Sequence, residues 1–361
     1  MNILGKKMNK KIYLWSGLLL VILACNLGAP PPAQTSDLLA TLAASTPLTG
    51  NPAATVDPAQ TSTSPFNLQT PIPSTLSVPT SSSSSAVQPK GQIVFTCQIF
   101  KVQASNQICI INADGTGFRR LTTDNTQHYY PSLSPDGKSV VYAAFLEANI
   151  YEIYEMNLTT GSVKKLTNKI GNVNAPEISP DGTTIVFKRA KPNSEENQIY
   201  LMERNGTDPN NIPKILGWDP TWSPDGQHIL FASDRNGTVQ LYTMNLDGKE
   251  LHQISNLLAI RGRSDWSPDG QFIVTYSGEA WNREVYIMNA DGSNAHVLSP
   301  AGGNSQGPSF SPDSQWVTFT SYLDHPNDDH GCEIYIVRID GTDLRRLTSN
   351  DYCDYQPRWG Q

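Results

Sequence analysis

The chain is short of the residues that carry most metal and acid–base chemistry, with six histidines and five cysteines among 361 residues. No two cysteines stand as Cys-x-x-Cys, which removes the common zinc and thiol-redox patterns. There is no EF-hand loop and no His-x-x-x-His pair, so no metal site is expected from motif grounds. Long apolar runs are missing too. The longest, Ile12 to Ala24, has 13 residues, where a span of about 30 Å needs about 20. Basic excess is also lacking: 26 Lys and Arg stand against 33 Asp and Glu, a net charge of −7. Such a chain has no electrostatic footprint for nucleic acid and no polybasic patch for a membrane.

What is present begins with a basic end, Lys6, Lys7, Lys10 and Lys11, before that short apolar run. A small residue follows at the cut point, the arrangement of a secretory signal over residues 1–24. Met8 is an alternative start, because Lys10 and Lys11 still follow it. Ile22-Leu23-Ala24-Cys25 resembles a bacterial lipobox, which implies acylation at Cys25. Stable anchoring takes more than one acyl chain, since each buried CH₂ contributes only about 0.8 kcal/mol. Loss of the signal removes four lysines and no acid, taking the net charge from −7 to −11. The expectation is an exported protein, lipid-anchored to a bacterial membrane and touching it through that anchor only.

Residues 25–90 are dominated by Pro, Ser, Thr, Ala and Gln, with Ser81 to Ser85 unbroken and Phe66 the one aromatic. Such a segment cannot bury enough apolar surface to offset its chain entropy, so a disordered tether is expected.

Residues 91–361 repeat. Ser-Pro-Asp-Gly or a near copy starts at Ser134, Ser179, Ser223, Ser267 and Ser311, at steps of 45, 44, 44 and 44 residues. Repeats of about 40–45 residues mark four-stranded propeller blades. Each unit reads as a short strand, the Ser-Pro-Asp-Gly turn, an apolar strand, a variable loop, another strand, a second turn and a short outer strand. Pro presets φ in the turn and Gly accepts the left-handed conformation. Gly91 to Thr122 lacks a first strand, and Pro357-Arg358-Trp359 supplies one. Together they complete a sixth blade and close the ring, leaving no long edge. The expected class is all-β: a six-bladed propeller of four-stranded antiparallel blades.

The repeat, with Val285-Tyr286-Ile287-Met288-Asn289-Ala290-Asp291-Gly292, resembles the TolB-type β-propeller repeat across 91–361. Ser314 replaces the turn Gly, and Ser264 stands where other units have Pro131, Pro176, Pro220, Pro308 and Pro357. The periplasmic Tol component carries a further N-terminal α/β domain where this chain has a tether, so the Tol–Pal role is not carried over. The resemblance implies that partners are bound across one face and over the channel.

The repeated Asp136, Asp181, Asp225, Asp269 and Asp313 are read as turn residues and the repeated tryptophans as packing between blades. Both tight turns fall on one face, so the variable connections 98–106, 123–130, 190–197, 256–263, 278–283, 322–332 and 349–355 open on the other. Recognition concentrates on such loops. The entry of each inner strand places Tyr130, Glu177, Asp219, Arg263, Asp265 and Arg358 around one channel mouth, as a site for a charged peptide end or a cation such as calcium. The bland reading pairs the arginines with the acids and seals the channel. Tyr129, Trp218, Trp281, Tyr352 and Tyr355 are candidates for stacking on a ligand.

Four cysteines beside Cys25 allow three disulfide connectivities. Cys332 and Cys353 fall near ring closure, where their bond would pin the acidic loop from Asp324 to Glu333, and Cys97 and Cys109 flank one hairpin loop. The leading functional expectation is a non-enzymatic module for an envelope or extracellular protein or peptide, without a cofactor. A glycan is the alternative ligand, and a purely structural envelope role a further alternative. The rival class is a propeller lyase or glycan hydrolase built on His128, His325 and His330 with Asp265. Gly303-Asn304-Ser305-Gln306-Gly307 fits a nucleophile-elbow pattern, but that elbow needs a strand–turn–helix setting.

Overall fold

The computed structural model describes residues 88–361 except 101–104, 192–193, 195, 327 and 329. The signal, nearly all of the tether and Cys25 lie outside the described residues. Strands make up six four-stranded antiparallel sheets, with no helix among the described residues. Blade one combines both ends of the described chain in the order Asp354–Gly360, Gln92–Gln98, Asn106–Asn112, Arg119–Arg120. Its closing ladder sets Ile93 opposite Trp359 and Val94 opposite Arg358. Blades two to six follow in chain order, with inner strands His128–Leu133, Asn172–Ile178, Trp218–Trp222, Asp265–Trp266 and Gln306–Phe310. Consecutive inner strands neighbour one another and the last returns to the first, so the ring is closed.

The five Ser-Pro-Asp-Gly copies build one hydrogen-bonded turn. Ser134 Oγ donates to Asp136 Oδ1 (2.6 Å), which also accepts from Lys138 N (3.1 Å), while Ser139 N donates to Ser134 Oγ (2.9 Å). The same bonds recur at Ser179, Ser223, Ser267 and Ser311. Serine is thus as necessary to the motif as Asp, since both satisfy turn backbone that the ladder leaves free. Ser314, in place of Gly, sits at φ 58°, a conformation that favours glycine. Its hydroxyl accepts from Asp269 N of the preceding blade (3.1 Å), a bond glycine cannot make.

Alternating side chains of each sheet point to the two neighbouring blades, so the core is six apolar layers, one per blade junction. Phe187 with Val141, Phe231 with Val186 and Phe319 with Val274 fill three of them. The layer between blades six and one holds Trp316, Trp359, Ile93 and Ile334. Both disulfides lie on blade one or its border. Cys97–Cys109 crosses its second and third strands, and Cys332–Cys353 ties blade six to the start of the closing strand. Cys97 is the ladder partner of Asp354, next to Cys353. Tyr322 and Tyr355 pack over the second bond.

Strand direction sorts the connections. Ser-Pro-Asp-Gly turns and the turns before the outer strands share one face, the turn face. Loops between second and third strands, and the links from blade to blade, share the other, the loop face.

Candidate functional site

The six charged and aromatic residues expected at the channel do come together, in two tiers. The first tier is the opening position of each inner-strand motif: Tyr130, Ala175, Asp219, Arg263, Gly307 and Gln356. All six have positive φ, from 24° at Arg263 to 58° at Gly307. In each blade a proline follows, except that Ser264 follows Arg263. Ladder register shifts at this place in five of the blades, the signature of a bulge that re-aims side chains. Two residues on, Ser132, Glu177, Thr221, Asp265, Ser309 and Arg358 form the second tier.

Each tier is laced from blade to blade. Glu177 Oε1 accepts from Thr221 Oγ1 (2.9 Å) and Trp222 N (3.2 Å). Asp265 Oδ2 accepts from Ser309 Oγ (2.7 Å) and Phe310 N (2.8 Å), and Ser309 Oγ in turn accepts from Trp359 N (3.1 Å). In the first tier Asp219 Oδ2 accepts from Arg263 N (3.0 Å), and Gln356 Oε1 accepts from Tyr130 N (2.9 Å). Sequence reasoning named the acids but missed Thr221, Ser309 and Gln356. The signal was the 44-residue column itself, which sets a hydroxyl one repeat after each second-tier acid.

The two arginines cross the ring. Arg358 Nη2 lies 3.4 Å from Glu177 Oε2 and donates to Ser264 O (3.1 Å). Its Nη1 is 3.0 Å from Asp265 Oδ1, an ion pair without hydrogen-bond alignment. Arg263 Nη2 donates to Pro131 O (3.1 Å), and its guanidinium lies 5.4 Å from the Tyr130 ring centre. Arg263 Nε and Nη1 have no hydrogen-bond partner among the described residues.

Burial, then repulsion from Arg358, brings the Arg263 guanidinium down to about 10. Burial lowers Arg358 as well, but Asp265 and Glu177 outweigh it and leave that residue above its ordinary value. Burial raises the Glu177 carboxyl against the pull of Arg358, and burial raises the Tyr130 phenol. The void among Ala175, Glu177, Asp219, Arg263 and Arg358 measures about 10 Å³, room for about one water. On the turn face the channel widens to a funnel of about 290 Å³ beside Leu133, Ile178, Phe310 and the turn prolines, with Glu177, Asp265 and Arg358 among its lining.

The stacking candidates scatter over the loop face. Trp281 is 44% exposed and meets Tyr322 edge-on at 5.4 Å. Tyr129 packs on Tyr151 at 6.1 Å and accepts from Asn106 Nδ2. Tyr355 is half-buried against the Cys332–Cys353 bond. Tyr352 donates its N–H to Asn350 Oδ1 (2.8 Å). Trp218 is half-buried in the layer between blades four and five. His128 is buried with its ring nitrogen 2.9 Å from Asp124 Oδ1, and His330 Nδ1 is 3.7 Å from Asp328 Oδ1. No three His, Cys, Asp or Glu side chains among the described residues are grouped to hold a metal.

A family model described as the TolB beta propeller domain matches residues 87–361. The chain belongs to this family. An uncharacterized protein of Agrobacterium fabrum is 30% identical over 156 residues, 40% of this chain and 52% of that protein. The Tol-Pal system protein TolB of Francisella tularensis is 28% identical over 120 residues, 33% of this chain and 27% of that protein. The chain therefore spans about half the length, or less, of these relatives. Among solved structures, TolB of Acinetobacter baumannii superposes with a TM-score of 0.66 at 25% identity, covering 75% of this chain and 66% of that one. The TolB-type propeller is what these matches share.

Proposed function

We propose that this TolB-type propeller is an exported, lipid-anchored envelope module that binds a protein or peptide on its loop face without catalysis. The observation that carries the reading is the apolar tips standing on that face. Leu258 is 81% exposed, Phe100 56% and Trp281 44%, with Phe145, Leu146 and Leu216 also exposed. Leu258, Phe100 and Trp281 sit in loops where the repeat breaks down, Phe145 and Leu146 near the end of the strand Ser139–Glu147 and Leu216 at the end of Asn210–Leu216. Exposed apolar groups on a rigid scaffold are the usual anchors of an interface. The named TolB relatives support a protein partner by analogy. The charged channel residues, already bonded to their neighbours, close the ring and leave contact to the loops.

The test is capture of partners from envelope extract by the purified protein carrying Leu258→Asp with Trp281→Asp. A turn-face Phe118→Asp variant is the control, since Phe118 is 55% exposed. A partner lost by the loop-face pair and kept by the control supports the reading. A partner lost only by the control overturns the choice of face. Palmitate labelling that is abolished in Cys25→Ser checks the anchor.

A further inference from the structure

All six blade junctions repeat one packing site on the turn face, and one of them is unfilled. Three positions build it: the first residue of the second strand, the third-strand residue beside it, and the residue just after the next blade's third strand. Between blades two and three these are Ser139, Glu155 and Arg204. Arg204 Nη2 lies 2.7 Å from Glu155 Oε1 and donates to Ser139 Oγ (3.0 Å). Between blades six and one they are Trp316, Ile336 and Ala113, and Trp316 fills the site at 0% exposure. Two further junctions pack Ile110 with Leu158 and Phe272 with Ile287 and Ile339; between blades three and four Leu201 is packed while Leu246 is exposed.

Between blades four and five the same positions are His228, Thr243 and Ala290. No bulky apolar group at these positions takes up the space; His228 Nδ1 lies 4.0 Å from Asp225 Oδ1, and His252 also lines the site. A recess of about 510 Å³ opens there, lined by all three. The layer beneath holds six buried apolar residues and five partly buried ones, where the other junctions hold eight to ten buried and one to four partly buried, so this layer is the more open to solvent.

The walls say what would fit. Pro224, Pro268, Ile254 and Trp266 supply apolar surface, and three carboxylates, Asp225, Glu250 and Asp269, stand with them. The Trp266 Nε1–H is taken by Gly270 O (3.3 Å), so the indole has π surface rather than a donor to give. Both turn aspartates make their turn bonds through Oδ1. No lysine or arginine among the described residues lines the recess, and neighbouring Lys249 is turned to Asp247 Oδ2 at 2.9 Å.

We propose that the recess between blades four and five binds a small organic cation, an ammonium group carried on an apolar body. Its volume lies in the range of about 300–1,000 Å³ typical of small-molecule sites. Carboxylates beside an indole are the pairing that recognises ammonium groups by charge and by the ring quadrupole.

Choline and its neutral isostere 3,3-dimethylbutan-1-ol, titrated into the purified protein by calorimetry or ligand-observed NMR, decide the matter. Choline should bind about ten-fold or more tighter than the isostere. Ala290→Leu should abolish binding by filling the recess. It should keep the fold, because Leu158 and Leu246 occupy that column in other blades. Glu250→Gln should weaken choline about five-fold and leave the isostere unchanged. Equal binding of choline and isostere, absence of choline binding, or choline binding that survives Ala290→Leu would each overturn the proposal.

Discussion

Two junctions of the ring, six-to-one and four-to-five, are built from the same three repeat positions with opposite outcomes. At the first, Trp316 is sealed between blades, with the guanidinium groups of Arg338 and Arg345 at 4.2 and 5.0 Å from its ring centre. At the second, His228 stands beside Ala290 over an open recess. The repeat period therefore governs turns and backbone, and leaves each junction free to be packed or left open. Blades four and five are joined in sequence, but blade one is assembled from chain ends that only a ladder and side chains hold together.

The contrast can be broken most sharply at its centre. Trp316→Ala removes a fully buried indole and should cost about 3–5 kcal/mol of unfolding free energy, while His228→Ala should cost under about 0.5 kcal/mol. Urea titration of the two variants checks both, and similar losses would remove the distinction. Next in size is the covalent tie of the same junction. Cys332→Ser with Cys353→Ser opens a link of sequence separation 21, for which loop entropy gives about 3 kcal/mol. No substitution at junction four-to-five has an equivalent.

A smaller effect concerns pH. Asp354 starts the closing strand beside Glu333, and both carboxylates are buried. Burial, then the Glu333 charge, lifts the Asp354 carboxyl to about 7. The folded state thus holds a proton that the unfolded chain, at about 3.9, has released. Stability from this group is full below about pH 4 and is lost as pH rises towards 7, by roughly 2 kcal/mol between pH 5 and 7. Melting temperature should fall over that interval, and Asp354→Asn should flatten the fall. A wild-type profile that rises over the same interval would contradict the burial of this acid.

Much of the architecture was legible because it repeats. The turns mark blade number and faces, and Pro357-Arg358-Trp359 marks the closing strand. The sequence left three disulfide connectivities open, and the structure pairs Cys97 with Cys109 and Cys332 with Cys353. The channel was legible as composition and not as arrangement. Nothing in the tetrapeptide indicates that the residue before each inner-strand proline turns left-handed, and that turn is what splits the charged residues into two tiers. Arg263 and Arg358 reach partners 132 and 94 residues away, a distance that no local pattern encodes. The open junction was hidden for a different reason. Ala290 and Arg204 look unremarkable singly, and only alignment of the three columns shows that one blade pair lacks its filler.

The strand Gln92–Gln98 is flanked on both sides, by Asn106–Asn112 and by Asp354–Gly360. Any pull arriving along the chain before Gly91 therefore meets two ladders at once, and the Cys97–Cys109 bond lies at the far end of one of them. Mechanically the ring is loaded through its most heavily fastened blade. A tug on the N-terminal side is shared with the C-terminal strand and passed, through Cys332–Cys353, into blade six. A load applied ahead of Gly91 is thereby spread over two ladders and a disulfide rather than concentrated on one strand.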